Sequence, residues 1–355
     1  MRIIITRSKT GGVGYYFDKI NPHFQNKISY VTVGKRTLYE PLVHMLIRQI
    51  GDYIRFSYNI LFKSCDLIHL NPSFKKKAVI RDGILLLTAK LFRKKAIVFF
   101  HGWDEEFEST IKKKYFKLFK FFYFNADVII VLASQFKTSL EEIGYNKPIY
   151  VETTLVPENI FKIQHVKSKI FNQKRLNILF LSRIEKYKGV YEAIDAYIIL
   201  KKKYKYLTLT IAGEGSELDS LNDYIKSINI SDIEMLGWVD ENNKDETYRK
   251  ADIYLFPTYG EGMPISVLEA MAYGLPVITC PVGGINDFFQ NGEMGYLSEN
   301  PEPENLAKLC ESLINDREKI INISKYNQEY AANNFKASIV CKRLEAIYND
   351  ITKFS

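Results

Sequence analysis

Apolar runs of five or six residues alternate with longer stretches of mixed polar and apolar residues along the chain. The runs have the length of buried strands, and the stretches between them are long enough for crossover helices. This alternation predicts parallel, doubly wound sheets with helices on both faces, which is an α/β fold. Strands are expected at Arg2–Thr6, Ile28–Val33, Asp66–Leu70, Ala96–Phe100, Asp127–Leu132, Leu176–Leu181, Thr208–Ala212, Ile233–Gly237 and Asp252–Phe256.

The length of 355 residues exceeds what one core usually organises and suits two domains. A polar, basic run over residues 162–175 interrupts the alternation of strands and helices and is typical of a linker. We therefore predict a first domain over residues 1–161 and a second domain over residues 176–336.

Residues 257–284 follow the last of these strands and predict a glycine loop, a helix and a further strand. Pro264 is expected at the first helical position, because its fixed φ suits a helix start and its missing N–H is not needed there. Gly274 is expected to end the helix, and Pro276 cannot continue it. The sequence thus predicts a helix N-terminus at the carboxyl end of a buried strand.

Two carboxylates accompany this helix, Glu261 in the loop and Glu269 eight positions later. A helix N-terminus attracts anions and oxygen-rich ligands, and ionised carboxylates beside it accept hydrogen bonds from hydroxyl groups. A ligand with ribose at one end and a hexose at the other would match both acceptors. The alternative is that Glu261 is a solvated loop charge and Glu269 a salt-bridged helix residue.

Two cations follow the predicted strand Leu176–Leu181. Arg183 and Lys188 lie in the segment Ser182–Gly189, at the mouth of the second sheet. A guanidinium and an ammonium group there are suited to a diphosphate, because each adds charge-assisted hydrogen bonds. The alternative is a solvated basic loop.

The stretch EGMPISVLEAMAYGLPVITCPVGG, from Glu261 to Gly284, resembles the E-x7-E signature of the family 4, or group 1, retaining glycosyltransferases. The spacing of Arg183, Lys188 and Gly189 resembles a second element of that family. The resemblance implies the GT-B fold, in which two Rossmann-like domains, one for the acceptor and one for the nucleotide sugar, face a central cleft. It also implies that a C-terminal helix, residues 337–355, crosses back to the first domain.

The same resemblance assigns roles to individual residues. Glu261 would hold the donor sugar, Glu269 the ribose hydroxyls, and Arg183 with Lys188 the diphosphate. Further donor contacts would come from the helix start at Gly262, Met263 and Pro264, from the backbone at Gly237, and from the glycine-rich loop with Gly12 and Gly14. His101, after the fourth strand, would lie beside the transferred sugar and join Arg183, Lys188 and Glu261 as a catalytic candidate. From the residues alone, the glycines also fit an ordinary tight turn and His101 a structural role.

These roles describe a retaining glycosyltransferase with a nucleotide-sugar donor, a UDP-sugar being favoured over a GDP-sugar. The acceptor would be a glycan or a lipid-linked molecule in bacterial-type surface polysaccharide assembly. No Asp-x-Asp triplet occurs in the sequence, so we expect no metal site, and the nucleotide sugar is a substrate and not a cofactor. A sugar-nucleotide hydrolase or epimerase of the same fold, or a non-catalytic nucleotide-sugar-binding protein, remains the alternative.

The composition of the chain bears on where in the cell the protein is expected. The chain is 46% hydrophobic and 25% charged, which excludes a disordered protein, and no apolar run reaches the ~20 residues of a membrane span. The N-terminus lacks the pattern of a signal peptide, and the four cysteines show no spacing typical of zinc sites or disulfides. A cytoplasmic protein is therefore expected, with attachment to the inner face of the membrane left open.

The charge of the chain is unevenly distributed. Up to His165 there are 26 Lys and Arg against 14 Asp and Glu, a net charge of +12, and the remainder holds 23 against 27, a net charge of −4. A basic first half indicates an acidic partner, either anionic lipid or nucleic acid. No nucleic-acid-binding motif is present, so no nucleic-acid partner is expected.

The segment Thr110–Asn125 combines five lysines with nine aromatic or aliphatic residues. A helix with this pattern fits a membrane interface, where lysines meet anionic headgroups and aromatic side chains enter the boundary layer. It fits equally well a domain helix whose aromatic residues, including Phe119, Phe121, Phe122 and Phe124, lie in the core. The sequence does not decide between these two interpretations.

Overall fold

The structure is a computed structural model that describes residues 1–9, 11–34, 36, 41–162 and 175–353. The chain forms two compact units. The first comprises Met1–Leu155 with Ala337–Ser355, and the second comprises Val156–Lys336. Most of the predicted linker, residues 163–174, lies outside the described residues.

The first unit is built on a six-stranded parallel sheet with strand order β2-β1-β3-β4-β5-β6. Its strands are β1 Arg2–Arg7, β2 Lys27–Thr32, β3 Leu67–Leu70, β4 Lys95–Phe99, β5 Val128–Val131 and β6 Ile149–Val151. Sequence reasoning predicted the first five and missed β6, because three residues after a proline carry no periodicity of their own.

Helices cover both faces of this sheet. They are α1 Gly12–Ile20, α2 Leu42–Phe62, α3 Lys76–Leu91, α4 Glu105–Thr110, α5 Phe116–Tyr123 and α6 Ser134–Glu142, with a π-helical turn at Ile111–Tyr115 before α5. The C-terminal helix, Ala337–Lys353, also belongs to this unit. Its Glu345 accepts hydrogen bonds from the backbone N–H groups of Gln25 and Asn26, and its Arg343 pairs with Glu152.

One face of the sheet carries α2, α3 and α5. Their buried side chains join a single core with strand residues, including Phe56, Ile60, Leu85, Leu86, Phe119, Phe122, Ile4, Ile68 and Val98. The opposite face carries α1 and the C-terminal helix, where His69 Nδ1 lies 2.6 Å from Tyr348 Oη. The core therefore lies on both sides of the sheet, as expected for a doubly wound unit.

The segment Thr110–Asn125 contributes to this core with part of its aromatic side chains. Phe119, Phe122 and Tyr123 are buried, whereas Phe121 is 60% exposed and Leu118 is 42% exposed. The interpretation in which all its phenylalanines are core is therefore wrong for Phe121. The lysines of the segment remain exposed.

The second unit repeats the architecture with a parallel sheet of strand order β12-β11-β10-β7-β8-β9. Its strands are β7 Leu176–Leu181, β8 Leu207–Ala212, β9 Ile233–Gly237, β10 Ile253–Phe256, β11 Val277–Thr279 and β12 Gly295–Leu297. Its helices are α7 Val190–Lys203, α8 Leu218–Ile228, α9 Glu241–Lys250, α10 Ile265–Ala272, α11 Ile285–Phe288, α12 Pro303–Ile314 and α13 Arg317–Asn334, and the C-terminal helix is accordingly α14.

Two further findings concern the part of the chain that the structure describes. None of its helices has both the length and the hydropathy to cross a lipid bilayer. All four cysteines, Cys65, Cys280, Cys310 and Cys341, are buried free thiols.

Candidate active site

The order of strands in the second sheet creates a crevice between β7 and β10. The chain runs from β7 outwards through β8 and β9, and then returns to the other side of β7 with β10. Ligands of such sheets bind at the carboxyl ends of the strands where the direction reverses. Arg183 and Lys188 follow β7, and Glu261 follows β10, so neighbouring strands bring these three residues to one edge.

Lys188 and Glu261 form an ion pair at this edge. Their side chains are only 5% and 16% exposed, so Glu261 is not a solvated loop charge. The Lys188 ammonium also lies 4.7 Å from the centroid of the Tyr187 ring, a favourable cation–π distance. The pair is thus held in a partly dry setting in which its charges act strongly.

Burial and mutual attraction oppose each other in this pair. Burial lowers the pKa of Lys188, although the charge of Glu261 counteracts the effect. Burial likewise raises the pKa of Glu261, against the charges of Lys188 and Arg183. Each group therefore depends on the other to remain ionised in its buried position.

Arg183 is the exposed cation of the site. Its Nη2 donates a hydrogen bond to the Tyr187 hydroxyl at 2.6 Å, which orients the guanidinium. The remaining donors of a guanidinium group suit a diphosphate, which it can bind in bidentate fashion.

Two glycines allow the loops of the site to stack closely. Gly189 has φ +78° and Gly283 has φ +53°, a region that favours glycine. A Cβ atom at Gly189 would collide with the Pro257 carbonyl, and one at Gly283 with the Glu261 carbonyl. The glycine after Lys188 and the glycine pair at the end of the E-x7-E stretch therefore both position the Glu261 loop.

Glu269 lies on α10 and is only 1% exposed. Its Oε1 lies 2.6 Å from the Lys244 ammonium, and its Oε2 accepts a hydrogen bond from the Tyr248 hydroxyl at 3.2 Å. Both partners come from α9. Glu269 is thus a salt-bridged helix residue, as the alternative interpretation predicted, and its contact with ribose hydroxyls stays a prediction. A hydroxyl-bearing ligand at Glu269 would share or replace these partners.

The start of α10 differs slightly from the prediction. Pro264 occupies the N-cap with φ −74° and ψ 112°, so the helix begins one residue later, at Ile265. Its extended ψ keeps it out of the helix, although its carbonyl accepts the N–H of Val267 at 3.1 Å. Gly262 and Met263 precede this cap, and Gly274, at φ +74°, ends the helix as predicted.

Gly237 lies at the carboxyl end of β9, beside the edge where the other site residues gather. Its φ is +63°, and its carbonyl accepts the N–H of Gly213 at 2.7 Å. The turn after β9 is therefore tied to the turn after β8. Its proposed contact with the nucleotide base stays a prediction.

The remaining candidates, Gly12, Gly14 and His101, belong to the first unit. The sequence predicted a glycine-rich loop here, but Gly12 and Gly14 lie in the first turn of α1. This helix begins at Gly12, after the cap residue Gly11 at φ +83°. A Cβ at Gly14 would lie 3.1 Å from the Ser8 carbonyl, so the turn passes closely over the end of β1.

His101 follows β4 and is bound to Asn71, a residue that sequence reasoning missed. Asn71 Nδ2 donates to the Thr6 carbonyl at 2.8 Å, so its Oδ1 accepts from His101 Nε2, also at 2.8 Å. This arrangement leaves His101 Nδ1 as an acceptor. Burial lowers the pKa of His101 to about 3, and the ring is therefore neutral at physiological pH.

Three other site neighbours were also absent from the prediction: Tyr187, Lys244 and Tyr248. Tyr187 lies within the basic segment after β7, where its spacing of four from Arg183 is a usable pattern. No local pattern marks Lys244 or Tyr248, because they reach Glu269 only when α9 packs beside α10. Among the described residues, no group of three or more His, Cys, Asp or Glu side chains is placed to hold a metal ion.

Comparison with known proteins agrees with this architecture. Residues 161–330 match the family Glycosyl transferases group 1. The capsular polysaccharide biosynthesis glycosyltransferase CapM of Staphylococcus aureus is 28% identical over 63% of this chain, which spans only 58% of CapM. The N-acetyl-alpha-D-glucosaminyl L-malate synthase of Bacillus anthracis is 25% identical over 97% of this chain and 88% of its own.

A solved structure extends the likeness to both units. HepE of Anabaena, crystallised with UDP and glucose, superposes with a TM-score of 0.74 over 99% of this chain and 100% of its own, at 17% identity. At this identity the likeness concerns the fold, and it confirms the GT-B architecture of two α/β domains. Residues 161–330, a little under half of the chain, thus resemble the group 1 glycosyltransferases, and the two units have the GT-B fold.

Proposed function

We propose that the chain is a retaining glycosyltransferase that moves a hexosyl or N-acetylhexosaminyl group from a nucleotide sugar to a glycan or lipid-linked acceptor. A UDP-sugar is the favoured donor over a GDP-sugar. The observation that carries the proposal is the meeting of Lys188 with Glu261, beside Arg183, between β7 and β10. Cations held at a strand edge suit a diphosphate, and a fixed carboxylate suits sugar hydroxyls.

The proposed chemistry follows from where charge develops. The bond between sugar C1 and the phosphate oxygen breaks, and its electron pair remains on the diphosphate. Lys188 and Arg183 stabilise this growing charge, which lowers the barrier because the two cations are already in place. The acceptor oxygen then bonds to C1 on the face that the diphosphate leaves, and its proton passes to a phosphate oxygen.

The carboxylates have different tasks in this mechanism. Glu261 orients the donor sugar through its hydroxyls while keeping Lys188 charged, and Glu269 accepts the ribose hydroxyls. Neither carboxylate needs to attack the sugar. In the first unit, His101 offers a neutral ring whose Nδ1 can accept a hydrogen bond from a sugar hydroxyl.

The names of the relatives support this proposal without fixing the substrates. CapM acts in capsular polysaccharide biosynthesis, HepE was crystallised with UDP and glucose, and the Bacillus anthracis enzyme is named for an N-acetylglucosaminyl product. These names agree with a UDP-sugar donor and with surface polysaccharide assembly. We extend both to this chain as part of the proposal.

The direct test is a thermal-shift panel of UDP- and GDP-sugars, followed by donor turnover with and without added acceptor glycans or lipid-linked sugars. A donor at about a hundred times its Kd should stabilise the fold by about 2.7 kcal/mol. Acceptor-dependent release of nucleotide supports transfer. Turnover of the donor alone would identify a hydrolase or epimerase, and stabilisation without turnover would identify a non-catalytic binding protein.

Activity is expected to survive EDTA, because Arg183 and Lys188 supply the positive charge that a metal ion would otherwise provide. The measurement is the transfer rate before and after chelation, and again after Mg²⁺ or Mn²⁺ is added. Complete loss of transfer that either cation restores would contradict the metal-independent mechanism.

We further propose that the protein works in the cytoplasm and attaches peripherally to the inner face of the membrane, where a lipid-linked acceptor would be found. The excess positive charge of the first half of the chain supports this location. No nucleic-acid partner is proposed. Salt-sensitive binding to oligonucleotides would argue for one.

A further inference from the structure

Helix α2 carries two of its three charged residues, Arg48 and Asp52, on the inner face. Asp52 is 3% exposed, and its carboxylate accepts hydrogen bonds from the Gly34 N–H and from Arg48, each at 3.2 Å, and from Arg36. Asn59 is 7% exposed, and Phe56 and Ile60 pack into the core on the same side. This buried polar network fixes the orientation of α2, because rotation of the helix would leave the buried Asp52 carboxylate without its partners.

The outer face of α2 is apolar along its whole length. Eight large apolar side chains are between 50% and 71% exposed: Val43, Leu46, Ile47, Ile50, Ile54, Tyr58, Leu61 and Phe62. They recur every three or four positions and so form one stripe on a 21-residue helix, about 30 Å long. A helix at a water-exposed protein surface normally has its apolar side chains on the inner face and its polar side chains on the outer face.

The stripe continues onto the neighbouring helices. α2 packs against α3 and α3 against α5, and all three contribute to one core on the same face of the sheet. Their outward sides add Ile80, Ile84, Leu91, Leu118 and Phe121, each at least 38% exposed. An apolar surface spread over three adjacent helices is unusual for a soluble monomer and indicates a partner.

The exposed charges carried by these helices are positive. Over α2, α3, the π-helical turn and α5, the only acidic residues are Asp52 and Asp82, and both are buried against arginines. The exposed charges on these elements are basic and comprise Arg55, Lys76, Lys77, Lys112, Lys113, Lys114, Lys117 and Lys120. Of the lysines, Lys112 pairs with Glu108 of α4 and Glu142 of α6. A surface in contact with water alone normally mixes both signs.

Two lysine groups converge at one point beside the apolar surface. The Lys76 and Lys114 ammonium groups lie 5.1 and 5.6 Å from the centroid of the Tyr115 ring. Lys75, Lys76 and Lys77 also lie at the N-terminus of α3, where the helix dipole disfavours cations. Within the described residues no carboxylate pairs with Lys75, Lys76 or Lys77. This basic site is therefore suited to bind an external anion.

We propose that the α2 stripe, with the outward sides of α3 and α5, is the surface by which the first unit lies on an anionic lipid bilayer. The apolar side chains enter the boundary between headgroups and acyl chains, while the lysines meet anionic headgroups. A second copy of the chain fits less well, because a two-fold contact through this face would bring many lysines together.

This surface deepens the peripheral attachment proposed above and relocates it. The segment 110–125 supplies mostly the positive charge, since Phe119, Phe122 and Tyr123 are core residues. The apolar contact comes instead from α2. The test below requires neither a donor nor an acceptor, so it is independent of the proposed transfer reaction.

The test is co-sedimentation of the full chain with vesicles of phosphatidylcholine alone, or of phosphatidylcholine mixed with phosphatidylglycerol, at low and high salt. The wild type is expected to bind the mixed vesicles at low salt and to be released at high salt. The double variant Ile47→Gln/Ile54→Gln should lower the partition coefficient roughly tenfold or more, because two inserted side chains become polar. Its matched control is Tyr206→Gln/Leu236→Gln, with two exposed apolar residues of the second unit, which should bind like the wild type.

A fluorescent label on α2 reports directly whether this helix enters the membrane. All four native cysteines are buried, so an NBD group on Ile54→Cys should report from α2 alone. Its emission should rise with mixed vesicles, whereas the same label on Ser227→Cys, exposed on α8, should not respond.

Several outcomes would overturn the proposal. The proposal is wrong if the wild-type protein does not bind mixed vesicles at low salt. It is also wrong if the Ile47→Gln/Ile54→Gln variant binds them like the wild type. A concentration-dependent dimer in sedimentation velocity, abolished by that variant and accompanied by no vesicle binding, would assign the surface to self-association. UDP binding, measured by thermal shift on the same samples, shows separately whether the variant is folded and whether the donor assignment holds.

Discussion

Replacing Lys188 with alanine is expected to slow sugar transfer by roughly 10²–10³-fold, because loss of one preorganised charge at a developing oxyanion costs about 3–4 kcal/mol. The ammonium is placed for this task by burial, by the ion pair with Glu261 and by the turn that Gly189 permits. Arg183→Ala should have an effect of similar size. Steady-state transfer rates with saturating donor provide the measurement.

The buried pair complicates Lys188→Ala, since Glu261 would remain as an uncompensated buried charge. Its pKa, already raised by burial, would rise further, and the fold would lose stability. The double variant Lys188→Met/Glu261→Gln removes both charges and should therefore regain stability. It lacks both groups that the mechanism uses, so it should remain inactive although it is folded.

Lys186→Ala is the matched control for the cations. Lys186 lies in the same short 3₁₀ turn as Lys188 but is exposed, so its loss should leave the rate near that of the wild type. Near-normal turnover by both Lys188→Ala and Arg183→Ala would refute the assignment of the diphosphate to these cations.

Glu269→Gln is expected to weaken binding of the nucleotide diphosphate by about 1.5–3 kcal/mol, or roughly 10- to 100-fold in Kd. The amide keeps the size of the side chain but loses charge-assisted acceptance of the ribose hydroxyls. Glu261→Gln should instead reduce transfer more than it reduces binding of the free nucleotide diphosphate. Titration calorimetry with UDP, alongside transfer rates, measures both effects.

The contacts of Glu269 supply the control for this comparison. Lys244→Gln breaks the ion pair from the other side and leaves the carboxylate in place. If the carboxylate binds ribose, Lys244→Gln should retain nucleotide affinity where Glu269→Gln loses it. Equal loss of affinity in Glu261→Gln and Glu269→Gln would show that the proposed division of roles is wrong.

The alternation of apolar runs with helical stretches was sufficient to predict the architecture. Parallel strands inside a sheet are almost wholly apolar, and the nine predicted runs coincide with nine of the twelve strands in the described part of the chain. The strand predicted within residues 257–284 accounts for a tenth, β11. The strand β6, by contrast, forms because Ile149 and its neighbours pair with β5. Its three residues are too few to show a periodic pattern in the sequence. Local sequence therefore determined the elements that are long enough to show a pattern.

The chemistry of the candidate site was visible in residue types and spacing, but its geometry was not. Arg183, Lys188 and Glu261 could be chosen because cations and carboxylates follow strand ends. Lys188 and Glu261 are 73 positions apart, and they pair only because β10 lies beside β7 in the sheet. The partners of Glu269 and the contact between Asn71 and His101 arose in the same way, from packing between elements distant in sequence.

Helix α2 separates most clearly what the sequence determined from what the tertiary structure decided. The sequence of α2 contains a helical stripe of large apolar residues, and an apolar stripe ordinarily predicts the buried face. The structure turns that stripe outwards, because Asp52 is bound inside by Arg36, Arg48 and the backbone of Gly34. Periodicity determines that a helix has two faces, but only the surrounding tertiary contacts determine which of them is buried.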